Sequence, residues 1–239
     1  MIRWPRLLLV FFLLSYLVSG VWAAEDSLAK GLAAQKAGKP EQAVEHLEQY
    51  LKDHPEAVEA RRTLALALVG LGRNAEALTI MEQGLARDPK SVPLLMTQGS
   101  LLAGQDRRGE AIAVFSQVIV LDPKNAEAFK ERGDNQAQEG RFDEALADLN
   151  QAGQLNPNDA WVFNKRGMVW LCQGNVEKAL DDFSAAIKVA PDLPHAYFFR
   201  GNIYHHHLNQ PDKAIADYQQ ACKLGHPLAC RELEKMGAK

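Results

Sequence analysis

The sequence predicts an all-α fold: a solenoid of about six helix-turn-helix repeats closed by a C-terminal capping helix. Three observations predict it. Residues of one kind recur every 34 positions over most of the chain. Each period holds two stretches of helical spacing, parted by a glycine and ended by a proline. A last apolar stripe then follows the sixth period.

The N-terminus, MIRWPRLLLVFFLLSYLVSGVWAAED, comes before the pattern. Arg3 and Arg6 precede an apolar run from Leu7 to Val18, and Val21-Trp22-Ala23 supplies small residues for cleavage. This is the pattern of a secretory signal peptide, residues 1–23. The run is short for a membrane span of about 20 residues, so an uncleaved N-terminal anchor is the alternative. The basic flank would stay inside and the remainder would be exported. The expected location is therefore periplasmic or secreted, or else anchored facing the periplasm. No cysteine lies near the cleavage site, which argues against a lipoprotein. Cleavage leaves 216 residues and moves the net charge from −3 to −5, since residues 1–23 carry two arginines and no acid. A mildly acidic chain without a basic block is a poor binder of nucleic acid or anionic lipid. Membrane contact is expected only if the signal stays uncleaved.

Four series define the repeats. Pro55, Pro89, Pro123, Pro157 and Pro191 are 34 apart, as are Ala43, Ala77, Ala111, Ala145 and Ala179. Gly99, Gly133, Gly167 and Gly201 share the spacing. So do Gly38, Gly72, Gly140 and Gly174, with Asp106 at the missing step. The repeats read as 24–57, 58–91, 92–125, 126–159, 160–193 and 194–225. In the fifth, Phe163, Arg166, Gly167 and Trp170 share one helical face. Gly174 and Asn175 break that helix, Ala179, Phe183 and Ala186 line a second, and Pro191 stops it. Gly167 and Ala179 let the two helices pack closely. One hairpin cannot bury both of its faces, so repeats must stack. Residues 226–239 read as the capping helix, with Gly225 as C-cap, Pro227 as first helical residue and Ala229, Leu233 and Met236 on one stripe.

These residues resemble the tetratricopeptide repeat (TPR) family. The family pattern of a large residue, Leu-Gly, Tyr, Ala, Phe, Ala and Pro is met in the sixth repeat by Tyr197, Arg200-Gly201, Tyr204, Ala214, Tyr218 and Ala221. The fourth meets it with Phe129, Arg132-Gly133, Ala145, Leu149, Ala152 and Pro157. The first repeat departs, with Ser27 and Lys30 at large-residue positions, as suits an end repeat. The sixth has one extra residue between Tyr204 and Ala214, so a longer turn is expected. The resemblance implies a right-handed solenoid, and it implies protein-protein interaction through a concave groove.

Within each first helix, positions 4, 7, 8 and 11 of the repeat pack inward, and positions 2, 5, 9 and 12 form a second stripe. In TPR relatives that second stripe lines the groove. Carried over, it offers Glu127, Lys130, Asp134 and Ala137, then Trp161, Asn164, Met168 and Leu171, then His195, Phe198, Asn202 and His205. Earlier repeats offer Leu28, Leu32, Arg62, Leu66, Met96 and Ser100. The partner-binding candidates are Lys130, Asp134, Trp161, Asn164, Met168, Phe198, Asn202 and His205. For Trp161, Met168 and Phe198 the alternative role is packing between repeats, as it is for Leu28, Leu32 and Leu66. Some relatives clamp a C-terminal carboxylate with lysines and asparagines. Lys130 and Asn202 fit that clamp, whereas Asp134 and Met168 stand where it wants amides.

No catalytic constellation is present, so no enzyme activity and no cofactor are expected. There is no phosphate-cradling glycine loop, no metal-binding His-Glu-x-x-His and no nucleophile elbow. Adjacent acids such as Asp181-Asp182 read as a solvated face. The His205–His207 run invites metal, but consecutive helical residues point about 100° apart, and no metal site is expected. Metal handling through His195, His205–His207 and His226 is a third, less favoured function, and an enzymatic role is the least supported.

Two of the three cysteines stand in ACKLGHPLAC, residues 221–230. Their spacing excludes a Cys-x-x-Cys motif, and a zinc site would need two more ligands where only His226 is near. Across a helical hairpin Cys222 and Cys230 face each other within disulfide reach. This arrangement also resembles the bridged hairpins of SEL-like relatives of the TPR family. A Cys222–Cys230 disulfide is expected, with two buried thiols as the alternative and Cys172 the odd cysteine. The expected function is an exported interaction scaffold with a protein or peptide partner. Recognition of cell-envelope material or peptidoglycan is the alternative.

Overall fold

The computed structural model describes residues 26–237; the signal peptide read at residues 1–23 lies outside them. Thirteen helices, and no strand, occur among the described residues. The first, α1, covers 26–36. It is followed by α2 (Pro40–Asp53), α3 (Val58–Gly70), α4 (Asn74–Arg87), α5 (Val92–Gly104), α6 (Arg108–Leu121) and α7 (Ala126–Gln138). Then come α8 (Phe142–Leu155), α9 (Ala160–Cys172), α10 (Val176–Val189), α11 (Pro194–His206), α12 (Pro211–Lys223) and α13 (Pro227–Lys235). The chain divides between Gln105 and Asp106 into two compact units, the first with α1–α5 and the second with α6–α13. Within each unit consecutive helices pack on one another, the arrangement of a TPR solenoid. None of the described helices is long and apolar enough to cross a membrane.

The periodic residues explain the helix ends. In the first five repeats the second helix stops two residues before a periodic proline, because the residue before proline is driven out of the helical region. Asp88, Asp122, Asn156 and Ala190 accordingly share φ near −130° and ψ near 87°. Each first helix ends on a residue in the left-handed region, where glycine meets no Cβ penalty. Gly174 has φ +77°, and the Asn175 N–H closes the turn onto the Trp170 carbonyl at 2.8 Å. Asp106, at the step where the glycine series fails, takes the same conformation with φ +63°. The sixth turn is one residue longer, as expected, and Asn209 bends it with φ +50°.

The core repeats as well. Ala43, Ala77, Ala111, Ala145, Ala179 and Ala214 are fully buried, and so are Leu47, Met81, Phe115, Leu149, Phe183 and Tyr218 one turn later. Close approach is visible at Gly201, where a Cβ would stand 2.8 Å from the Tyr218 ring.

One expectation is overturned. Asp182 is not on a solvated face: it is 6% exposed and grips the Arg166 guanidinium with both oxygens, at 2.6 and 2.8 Å. The same clasp joins Arg132 to Asp148 and Arg200 to Asp217. Each arginine also bonds back to the preceding second helix, at Ser116, Asn150 and Ser184 respectively. Each lies over an aromatic ring one turn before it, on Phe129, Phe163 or Tyr197. A buried carboxylate needs such a partner, and the period delivers one to each of the last three hairpins.

At the C-terminus α13 packs on α12, burying Ala229 and Leu233 with Phe198 and Tyr218. Cys222 and Cys230 are joined as a disulfide with their Cα atoms 4.9 Å apart. Cys172, at the end of α9, is free and exposed.

Candidate functional site

The candidate groove residues lie on α7, α9 and α11 of the second unit, and the structure sorts all but His205 into three kinds. Two are committed to ion pairs between helices. Lys130 is 8% exposed, with its ammonium 2.6 Å from Glu127 and 2.9 Å from Asp159. Burial pushes this ammonium down, but the bonds to Glu127 and Asp159 outweigh it and hold it above the ordinary lysine value. Asp134 pairs with Lys165 at 2.5 Å and accepts a bond from Gln138. Glu131, on the same face of α7, is held above the usual carboxylate range, chiefly by burial. The charges of α7 are thus matched by α9 rather than offered outward.

Phe198 and Asn202 support the core. Phe198 is buried, stacks on His226 at 4.2 Å and belongs to the cluster under α13. It does not stand open as a groove anchor, because α13 and His226 cover it. Asn202 accepts the Tyr218 hydroxyl at 2.8 Å. Burial, followed by Glu232 and Asp217, pushes the Tyr218 phenol up to about 12, so it stays a neutral donor.

Trp161, Met168 and Asn164 make the remaining surface on α9. Trp161 is 42% exposed and Met168 40%. Asn164 lies between them in sequence and is 2% exposed, with its amide nitrogen 4.0 Å from the Met168 sulfur. Its Oδ1 is buried and has no partner among the described residues. An unpaired buried carbonyl is costly. Asp159 caps α9 by accepting the Trp161 N–H at 2.9 Å, which fixes the helix end that carries the indole. His195 of α11 lies against Trp161, ring centroids 5.2 Å apart, and meets His226 edge-on at 5.1 Å. Trp161, His195, His226 and Phe198 form one chain of ring contacts. The sequence stripe includes His195, but periodicity does not place His226, beyond the last period, beside it.

The histidine run does not join this chain. His205 lies against His206 with the rings tilted, centroids 4.4 Å apart. It stands ten residues from His195 on one helix, about 15 Å by helical rise. Among the described residues no group of three or more His, Cys, Asp or Glu is placed to hold a metal ion.

Stacked antiparallel helix pairs and a face of side chains on successive first helices define a helical-repeat binding protein. The sequence pattern of the tetratricopeptide repeat matches residues 28–92 and 167–227, and a second TPR repeat pattern matches residues 133–170. The chain belongs to the tetratricopeptide repeat family. No curated protein sequence matches it. Among solved structures it is similar to Pseudomonas aeruginosa pilF, with TM-score 0.73 and 19% identity, over 90% of this chain and 97% of that one. It is also similar to YrrB, a TPR protein described as having an unusual peptide-binding site, with TM-score 0.58 and 21% identity, over 80% and 100%. MamA from Desulfovibrio magneticus RS-1 matches with TM-score 0.63 and 18% identity, over 71% and 96%. At such identities the likeness speaks for the fold alone.

Proposed function

We propose that this protein is an exported interaction scaffold, without catalytic activity, that holds an extended peptide or helical segment of another protein. The observation that carries this reading is the pair Trp161 and Met168, two large apolar side chains left exposed on one rigid helix of a TPR stack. Large aromatic and thioether groups on a fixed framework serve as anchors for a partner's apolar side chains. The unpaired Asn164 amide beside them is a floor that a partner's backbone N–H could reach after a small rotamer change. YrrB gives a precedent for a peptide site on this fold.

The basic flank and apolar run before residue 24 support an exported setting, periplasmic or secreted, or else anchored facing the periplasm. The proposed repeat boundaries are those of the 34-residue period, with groove contacts concentrated in the fifth repeat. Affinity capture from periplasmic extract with the mature protein tests the reading. Trp161→Ala and Met168→Ala variants are expected to lose the captured partner at least tenfold while melting as wild type. Unchanged capture by both would sink the assignment. Retention by purified sacculi instead of by protein would favour envelope recognition.

A further inference from the structure

The first unit holds a buried cation without a carboxylate. Arg61 of α3 is 5% exposed. Its guanidinium donates only to backbone carbonyls: twice to Pro55, at 3.0 and 2.7 Å, and once to Ile80, at 3.4 Å. Of its five N–H groups, two are left over. Burial, then the charge of Arg87, hold Arg61 below the ordinary arginine value, and Glu56 offsets this only in part. Arg166 and Arg200 in the second unit are held above that value by their aspartates.

The repeat register shows how unusual the position is. Moving 34 residues at a time from Arg61 meets Leu95, Phe129, Phe163 and Tyr197. An apolar or aromatic side chain fills this place in every later repeat. A second exception accompanies the first. Gly84 occupies the place of Val118, Ala152 and Ala186. A Cβ there would stand 2.9 Å from the Arg61 Cδ and 2.8 Å from a Leu94 methyl. The second repeat thus trades an apolar plug for a guanidinium and drops a Cβ to seat it.

Beside that guanidinium lies a cavity of about 200 Å³, walled by Pro55, Val58, Arg61, Gly84, Arg87 and Leu94. It has room for several water molecules, hence for a carboxylate and the first carbons behind it. Glu56 and Asp88 complete the lining without neutralising Arg61. Glu56 has a side chain 74% exposed and lies beside His54, and Asp88 accepts the Lys90 N–H. Arg87 is exposed and makes no ion pair among the described residues. A buried guanidinium favours an anion, and its planar fork matches a carboxylate.

We propose that this cavity is a carboxylate-binding site, in which Arg61 and Arg87 hold the anion and Pro55, Val58 and Leu94 cover its carbons. It is separate from the α9 surface and stands whether or not that surface binds a partner. The carboxylate has two possible sources, a free small acid or the acidic side chain of a peptide.

The test is an amide-resonance titration of the full mature chain with two probes, propionate and an N-acetylated, C-amidated Gly-Glu-Gly peptide, against chloride at equal ionic strength. Saturable shifts confined to residues 55–61 and 84–94 are expected with at least one probe. Response to propionate identifies a small acid as sufficient, and response to the peptide alone identifies an acidic side chain in peptide context. Arg87→Gln, an exposed change, should weaken binding about tenfold, the scale of one charged hydrogen bond. Arg61→Leu, the residue found at position 95, should abolish it. Lys90→Gln should bind as wild type. No saturable shift with either probe, or unchanged binding by Arg87→Gln, would overturn the proposal.

Discussion

Glycine serves two different physical needs within one repeat, and the same substitution separates them. Gly174 sits at φ +77° with nothing near its missing Cβ. Gly174→Ala should cost about 1–2 kcal/mol through backbone strain alone. Gly201 has ordinary helical backbone, but its missing Cβ would strike the Tyr218 ring at 2.8 Å. Gly201→Ala should cost about 1–3 kcal/mol through overpacking. Urea unfolding of both variants checks the pair, and Gly201→Ala should be partly rescued by shrinking Tyr218 to Leu, whereas Gly174→Ala should not. The clasp of Arg166 and Asp182 is the third residue-scale case. Arg166→Ala strands a nearly buried carboxylate, so it should destabilise by about 3 kcal/mol. Changing Asp182→Ala as well should restore part of that. Strict additivity in this double-mutant cycle would show that the clasp carries no coupling.

Among the elements, α13 depends most on a few side chains, since it is short and packs on α12 at the end of the chain. The disulfide from Cys222 to Cys230 closes a nine-residue ring, worth about 2.5 kcal/mol by loop entropy. Reduction, or Ser at both positions, should raise hydrogen exchange in α13 and the end of α12 while leaving α8–α10 unchanged. The second holdfast is His226, the N-cap residue of α13, buried under Phe198 with its Nδ1 unpartnered. Burial first, and His195 second, hold it below the ordinary histidine value. The positive end of α13 also disfavours an imidazolium there. The other charged groups of the packed helices are engaged or exposed: Asp217 is held by Arg200, Glu232 by Lys235, and Lys223 and Arg231 face solvent. The unfolded chain binds the proton near pH 6.5 and the folded chain only at lower pH. The stabilising contribution of His226 is therefore complete above about pH 6.5 and is lost as pH falls through its folded value. Hydrogen exchange in α13 should accelerate on acidification to pH 5, and His226→Phe should remove that acceleration. An α13 exchange profile independent of pH in the wild type, after correction for intrinsic rates, would refute it.

At the scale of the whole molecule, the helices were legible in the sequence because prolines, glycines and alanines mark them every 34 residues. The site was legible only in part. Stripe positions named Trp161 and Met168, which the structure leaves exposed, but they also named Lys130 and Phe198. Periodicity cannot tell that Asp159 and Glu127 hold Lys130, or that His226, beyond the last period, covers Phe198. The clasp of Asp182 was missed because an acid pair was judged alone. Asp148 and Asp182, 34 apart, and Asp217, 35 further on, track Arg132, Arg166 and Arg200 and carried the signal. That same comparison separates the two units. At the clasp-arginine position the second and third repeats have Leu64 and Gln98, so the first unit has no such clasp. A repeat stack unfolds according to local and nearest-neighbour stabilities rather than as one body. The first unit should therefore lose exchange protection at lower urea than the second. Trp161 and Trp170 are the only tryptophans among the described residues and both lie in the second unit, so their fluorescence should report the later step. Circular dichroism, which sees all helices, should begin to fall earlier. Coincident transitions by the two probes would mean that the arginine clasps do not set the order of unfolding. With Arg132→Leu, Arg166→Leu and Arg200→Leu combined with leucine at Asp148, Asp182 and Asp217, the gap between the probes should narrow if they do.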